Sequence, residues 1–249
     1  MGGNVVITMA GFGNRFRKAG YDVPKYRVEA HGRTLFYWSM LSLMNFARAG
    51  WTFHFVVRRA DEAGAFLDRE CANLGIRAHG ILELATPTDG QATTALLAAR
   101  AVKNVQESLV VYNIDTFVEP DALLPESIRG AGWIPCCRLP GDSWSFVRAD
   151  ADGLAHEVRE KNRISDWCTI GLYHFRSFGL YEKVYREFYA KAENVEAGER
   201  YIAPMYNHLI ANGEKVYVAE VPISAFHALG TPAEVESFIA GPRPAIRVC

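Results

Sequence analysis

Val5-Val6-Ile7-Thr8-Met9-Ala10-Gly11-Phe12-Gly13-Asn14-Arg15-Phe16, followed by Pro24-Lys25, is the stretch from which the rest of the chain is read. An apolar run suited to a buried strand ends in a loop with two glycines, and behind that loop come an arginine and then a lysine. So little side-chain bulk lets backbone N–H groups reach a phosphate, while Arg and Lys supply the opposing charge. Two other phosphate templates fail here. There is no GxxxxGK[ST], and Phe16 stands where a dinucleotide fingerprint needs its third glycine.

Outward from this stretch, strand-like and helix-like periodicities alternate. Thr34 to Ala47 carries Leu35, Trp38, Met40, Leu41 and Met44 at helical spacing, and Trp51 to Val57 reads as a strand. Asp61 to Leu74 reads as a helix stopped by Gly75, Ile76 to Leu84 as a strand, Gly90 to Val102 as a helix, and Leu109 to Tyr112 as a short buried strand. This order predicts an α/β fold on a parallel, doubly wound sheet. The second half changes character, with extended runs at 132–138, 144–149, 154–160 and 168–175. Helical patterns at 177–192 and 200–212 and a strand at 215–221 follow. No internal repeat and no Pro/Ser-rich linker interrupts the chain, so a single domain over 1–249 is expected.

Composition narrows the function. The 249 residues are 49% hydrophobic, enough for a substantial core, and a net charge of −1 argues against nucleic acid or a membrane surface as partner. No window approaches the ~18–20 unbroken apolar residues of a membrane span. Met1-Gly2-Gly3-Asn4 runs straight into the first strand and leaves no room for a secretory signal, so a cytoplasmic location is expected. The five cysteines (71, 136, 137, 168 and 249) are odd in number and lack CxxC spacing, which points to buried, reduced thiols rather than a disulfide framework or a zinc site.

Three further segments can carry chemistry. Asn113-Ile114-Asp115 follows an apolar run, and ligands of open α/β sheets sit beyond the carboxyl ends of strands. A hard carboxylate there suits Mg²⁺ against phosphates; equally, it can cap the segment that begins at Glu119-Pro120-Asp121. Thr86-Pro87-Thr88-Asp89-Gly90-Gln91-Ala92 is a turn opening a helix, where a glycine permits close approach of a base or an anion and where an ordinary Asp/Thr cap explains the same letters. Glu160-Lys161 precedes Thr169-Ile170-Gly171-Leu172-Tyr173; an isolated Glu-Lys pair is most often solvated surface.

Together these segments resemble the signature of sugar-phosphate nucleotidylyltransferases. That signature is a Gly-x-Gly-x-Arg-(Phe/Leu/Met) loop with a later Pro-Lys, a (Gly/Asn)-x-Asp at a strand end, Pro-Asp-Gly-x-Ala, and Glu-Lys followed by Gly-(Leu/Ile/Val)-Tyr. The resemblance implies the nucleotide-diphospho-sugar transferase fold: a three-layer α/β/α, Rossmann-like arrangement with a mixed, mostly parallel sheet. Its NTP-binding half would span about 1–130 and its acceptor half about 131–240. It implies that Ala10, Gly11, Gly13 and Asn14, with Arg15 and Lys25, hold the triphosphate. By the same match Gly90 meets the base (Gln91 a weaker candidate), Asn113 borders the nucleotide and Asp115 holds Mg²⁺. Arg15, Lys25 and Lys161 would be catalytic, and the acceptor would meet Glu160, Lys161, Thr169 and Gly171.

One departure stands out. Phe226-His227-Ala228-Leu229-Gly230-Thr231-Pro232-Ala233-Glu234 resembles Trp-x-Asp-x-Gly-Thr-Pro-(Glu), yet Ala228 occupies the place of the Asp. Either Asp115 and phosphate oxygens hold the metal, or another carboxylate substitutes, or the chain is inactive. The activity implied is transfer of a nucleotidyl group from an NTP to a sugar 1-phosphate with release of pyrophosphate, for surface-polysaccharide precursors such as those of a capsule. Three alternatives remain open: a cytidylyltransferase for an acceptor such as phosphocholine, a glycosyltransferase with Asn113-Ile114-Asp115 as a degenerate Asp-x-Asp, and a non-catalytic nucleotide-binding module. Self-association into a homo-oligomer is also left open.

Overall fold

A computed structural model describes residues 2–245, the side chain of Ala99 apart. β1 (Gly3–Thr8) is buried from Gly3 to Ile7 because its alternating side chains feed two apolar layers. Val5 and Ile7 enter one core and Val6 the other. The glycine loop leads into a one-turn helix α1 (Asn14–Lys18), the small hairpin β2 (Glu29–Ala30) and β3 (Arg33–Thr34), and then α2 (Leu35–Leu41) and α3 (Met44–Arg48). The single helix expected over 34–47 is therefore two. It breaks at Ser42-Leu43, where the Ser42 hydroxyl is drawn out to accept from Val118 N at 2.9 Å and from the Tyr112 hydroxyl at 3.2 Å.

β4 (Thr52–Arg58), α4 (Gly64–Leu74), β5 (His79–Leu84), α5 (Gln91–Leu97), β6 (Ser108–Asn113) and the short β7 (Thr116–Val118) complete the first half. Gly75 caps α4 with φ 73°, a left-handed conformation that glycine tolerates. β5, β4, β1 and β6 are mutually parallel, with Ile7 level with Phe55 and Tyr112. The segment that begins at Glu119 forms two 3₁₀ turns, Pro120–Ala122 and Pro125–Ser127.

The second half comprises β8 (Gly132–Arg138), β9 (Ser145–Ala149), β10 (Ala155–Glu160), β11 (Trp167–Thr169), β12 (Leu172–Phe175), α6 (Phe178–Phe188), α7 (Tyr206–Ala211), β13 (Val216–Glu220), β14 (Phe226–Ala228) and α8 (Pro232–Ala240). β12 joins the sheet antiparallel to β6 and β8, so the whole is one mixed sheet, mostly parallel by paired residues, in the order β10-β9-β11-β8-β12-β6-β1-β4-β5 with β13 against β8. The run expected as one strand over 168–175 is two. Gly171, at φ 80°, turns the chain from the β8–β9 ladders to the β6–β8 ladders. α2, α3, α4 and α8 cover one face with Phe36, Trp38, Phe66 and Phe238. α5, α6 and α7 cover the other with Ala92, Tyr181 and Leu209, which makes three layers. Among the described residues no helix is long and apolar enough to cross a membrane. Cys71, Cys136, Cys137 and Cys168 are buried free thiols whose pKa burial raises; Cys249 lies outside the described residues.

Candidate active site

A cleft of about 650 Å³ opens where β1 and β6 end, at the carboxyl edge of the parallel strands. One wall is the glycine loop. Gly13 needs its residue type for φ 63°, whereas a Cβ on Gly11 would meet nothing within 4 Å and its φ is not left-handed. The fold places no demand on Gly11; the space a side chain would take is open cleft. Ala10, Asn14 and Arg15 border the same space, and the Arg15 side chain makes no hydrogen bond or ion pair among the described residues.

Lys25 enters behind Pro24. Its Nζ lies 2.7 Å from Asp115 Oδ2, and with 22% and 28% of their side chains exposed both groups remain reachable from the cleft. The turn that carries Asp115 is fixed from below by residues the sequence reading passed over. Ser39 Oγ donates to Ile114 O at 3.0 Å, and the Tyr112 hydroxyl donates to Thr116 O at 2.9 Å. Ser39 and Ser42 were visible as the polar letters of an otherwise apolar helical run. β14 pairs with β7 across this turn, and Leu229 N donates to Asp115 O at 2.9 Å. Ala228 therefore sits beside Asp115, and its place in the cleft wall is that of the missing Asp. His227 next to it stacks on Phe117 with ring centroids 5.2 Å apart, and burial lowers its pKa, so it packs rather than projects into the site.

Gly90, Asn113 and Gly171 knit the two halves together. A Cβ on Gly90 (φ 140°) would fall 2.5 Å from the backbone N and O of Arg200, so this glycine lets the turn at 86–91 dock on the 196–201 segment. That docking uses Arg200 N to Asp89 O at 2.8 Å, Ala92 N to Arg200 O at 3.0 Å and an Arg200–Asp89 ion pair at 2.7 Å. It also keeps 196–201 out of the helix expected from residue 200, which starts only at Tyr206 after a 3₁₀ turn. The Gln91 amide is spent on the strand ends, donating to Asn113 Oδ1 and, at 3.2 Å, to Thr8 Oγ1. A Cβ on Gly171 would lie 2.5 Å from Asn113 Nδ2, which explains a glycine there.

The opposite wall is made of hydroxyls, acids and rings. Thr169 Oγ1 and the Tyr173 hydroxyl are 3.0 Å apart, and Ser145 Oγ stands 3.5 Å from the same hydroxyl and donates to Glu160. Burial raises the Glu160 pKa, opposed by the Ser145 hydrogen bond and by Lys161. Trp144, Glu199 and Tyr201 extend this wall. Lys161 does not border the cleft. Its backbone is left-handed at φ 49°, and its ammonium donates to the Tyr201 hydroxyl at 2.8 Å, the contact that chiefly raises its pKa. The other residues to which the resemblance assigns a site role all line the cleft.

Among the described residues no group of three or more His, Cys, Asp or Glu is placed to hold a metal. One or two carboxylates beside substrate phosphates is the donor set that suits Mg²⁺, and Asp115 fits that role.

Comparison with solved structures agrees with this geometry. The chain superposes on the nucleoside-diphosphate-sugar pyrophosphorylase of Vibrio cholerae RC9 with a TM-score of 0.88 and 38% identity, over 95% of this chain and 100% of that one. The chain belongs to the sugar-phosphate nucleotidylyltransferase family. This nucleotidyltransferase shares its fold with the inositol-1-phosphate CTP transferase of T. maritima (TM-score 0.71, 16% identity, 95% of this chain and 94% of that one). HddC of Yersinia pseudotuberculosis shares it as well (TM-score 0.66, 17% identity, 96% and 98%). No protein-family model and no curated protein matches the sequence. It is a nucleotidyltransferase.

Proposed function

We propose that this nucleotidyltransferase joins an NTP to a sugar 1-phosphate and releases pyrophosphate, as one domain over 1–249, supplying precursors of surface polysaccharide in the cytoplasm. The observation that carries the reading is a single cleft with its cations on one wall, Arg15 and Lys25, and hydroxyls and carboxylates on the other. An acceptor phosphate is already an anionic nucleophile, so no strong general base is needed. The chemistry consists of bringing two anions together and neutralising the leaving group. Two unit charges about 4 Å apart repel by roughly 4 kcal/mol at an effective dielectric of 20, which is what the cations must offset.

In this reading the loop amides from Ala10 to Asn14, with Arg15 and Lys25, hold the triphosphate, and Asn113 and Gly90 border the nucleoside. Asp115 would hold Mg²⁺, which when bound withdraws charge from the phosphate oxygens. Glu160, Thr169 and Gly171 receive the acceptor, and Lys161 meets its phosphate after turning from Tyr201.

A second reading has one observation in its favour. The acceptor wall presents Glu160, Glu199, Trp144 and Tyr201, with one ammonium, Lys161 Nζ, 2.8 Å from the Tyr201 hydroxyl and 3.7 Å from Glu160 Oε1. Two carboxylates and aromatic faces suit the cationic headgroup of an acceptor such as phosphocholine. Pyrophosphate release, measured with Mg²⁺ across four NTPs and dTTP against sugar 1-phosphates and phosphocholine, separates the two. Activity with phosphocholine alone overturns the first reading, and no product with any pair overturns both.

A further inference from the structure

The corner of the cleft beside Asp115 contains a second carboxylate that the sequence comparison did not assign. β14 delivers only the methyl group of Ala228 there. Four residues on, α8 begins: Thr231 Oγ1 accepts from Glu234 N at 3.2 Å, and Pro232 occupies the first helical position. Helical side chains lean toward the N-terminus of their helix, which aims Glu234 back over Gly230. A Cβ on Gly230 would lie 3.2 Å from Asp115 Oδ2 and 3.5 Å from Glu234 Oε2. The absent side chain thus leaves a gap that two carboxylate oxygens flank. A Glu in this helical position usually turns back to the N–H of the capping residue. Glu234 does not, and among the described residues its carboxylate has no hydrogen bond or ion pair, although it forms part of the cleft wall. One positive group already reaches the corner, because Lys25 Nζ pairs with the same Asp115 oxygen that flanks the gap.

We propose that Glu234 supplies the carboxylate absent at position 228, and that Asp115 and Glu234 together seat the divalent cation accompanying the triphosphate. The inference rests on the nucleotidyl-transfer reading above. The longer Glu side chain, arriving from the helix start instead of from the strand, makes up the distance that an Asp on β14 would have covered. Gly230 is then required for the room it leaves, since its φ is not left-handed and its conformation alone does not demand a glycine. Two hard oxygens with the remaining positions left to phosphate and water is a donor set that Mg²⁺ and Mn²⁺ accept.

The test is a Mn²⁺ titration, followed by the electron paramagnetic resonance of the free ion. It uses the full chain saturated with α,β-methylene analogues of the four NTPs and dTTP in turn. Glu234→Gln is expected to weaken Mn²⁺ binding about tenfold while leaving nucleotide affinity in EDTA unchanged, because ligand charge sets the affinity of such sites. Gln is accepted at this helical position, so the start of α8 persists. Adding Ala228→Asp to Glu234→Gln is expected to restore the lost affinity, a rescue that a merely structural role for Glu234 would not produce. If Glu234→Gln binds Mn²⁺ as tightly as the parent while Asp115→Asn does not, the proposal is overturned and the nucleotidyl-transfer reading stands. If the parent chain binds none of the nucleotides, both fall.

Discussion

The two walls of the cleft solve opposite problems. On the parallel side, Arg15 and Lys25 reach the opening from short segments that follow β1, and the backbone around Gly11 leaves space that nothing in the protein fills. On the antiparallel side, Glu160 is buried under Ser145, Thr169 and Tyr173 share a hydroxyl contact, and Lys161 is tied to Tyr201 outside the cleft. The first wall is open and has both cations in place before any ligand arrives, Lys25 paired with Asp115 and Arg15 without a side-chain partner among the described residues. The second is already hydrogen-bonded to itself, so an acceptor has to exchange contacts to enter. Pre-set charge favours the highly charged partner, whereas a self-satisfied wall gives discrimination among acceptors, since its polar groups must be re-paired on binding.

The largest effect should come from stripping charge from the parallel wall. Lys25→Ala and Arg15→Ala should each lower the rate of pyrophosphate release by about 10²–10³-fold with the fold intact, the scale of losing one preorganised charge-stabilising group. Near-normal rates in both would break the contrast. Next come the glycines. Gly171→Ala forces a Cβ at φ 80° to within 2.5 Å of Asn113 Nδ2, and urea unfolding should show about 2–3 kcal/mol lost. Gly11→Ala, with nothing within 4 Å, should change stability by less than about 0.5 kcal/mol yet weaken nucleotide binding in calorimetry.

On the antiparallel wall the effects should be smaller and fall on the acceptor. Lys161→Ala should raise the acceptor KM about tenfold while leaving the NTP KM alone, and Tyr201→Phe, which releases the ammonium, should change it by about threefold or less. The smallest signal is a pH dependence. Burial raises the folded pKa of Glu160 above its unfolded value, so in that window the native state holds more protons and stability falls as pH rises. Glu160→Gln should flatten this slope in unfolding measured across the carboxyl range. An unchanged slope would show that Glu160 carries its charge without cost.

The helices and strands of the parallel half were legible because each side chain there reports its own layer. Val5 and Ile7 point one way and Val6 the other, and Gly75 marks the end of a helix with a conformation few other residues adopt. The glycine loop, Lys25 and Asp115 were legible for a related reason: their chemistry is local, and their strands deliver them to one edge. The breaks were not. The Ser42 hydroxyl binds an amide 76 residues away, Gly171 turns because two ladders need the chain in different places, and residues 196–201 form a turn outside the helix because Asp89 and Ala92 hold Arg200. Each of these is a long-range contact outweighing a local preference, and a periodicity window contains only one of the partners.

By itself, then, the sequence determined the layer order, the family and the nature of the charged groups, because spacing and side-chain chemistry are properties of neighbouring letters. Only the tertiary structure decided that Lys161 lies on Tyr201 and not in the cleft. It alone decided that Gly90 makes room for Arg200, and that Glu234 comes to face Asp115 across Gly230. Those outcomes depend on where separate segments meet once the two apolar layers are closed, and packing between segments distant in sequence sets those meeting points.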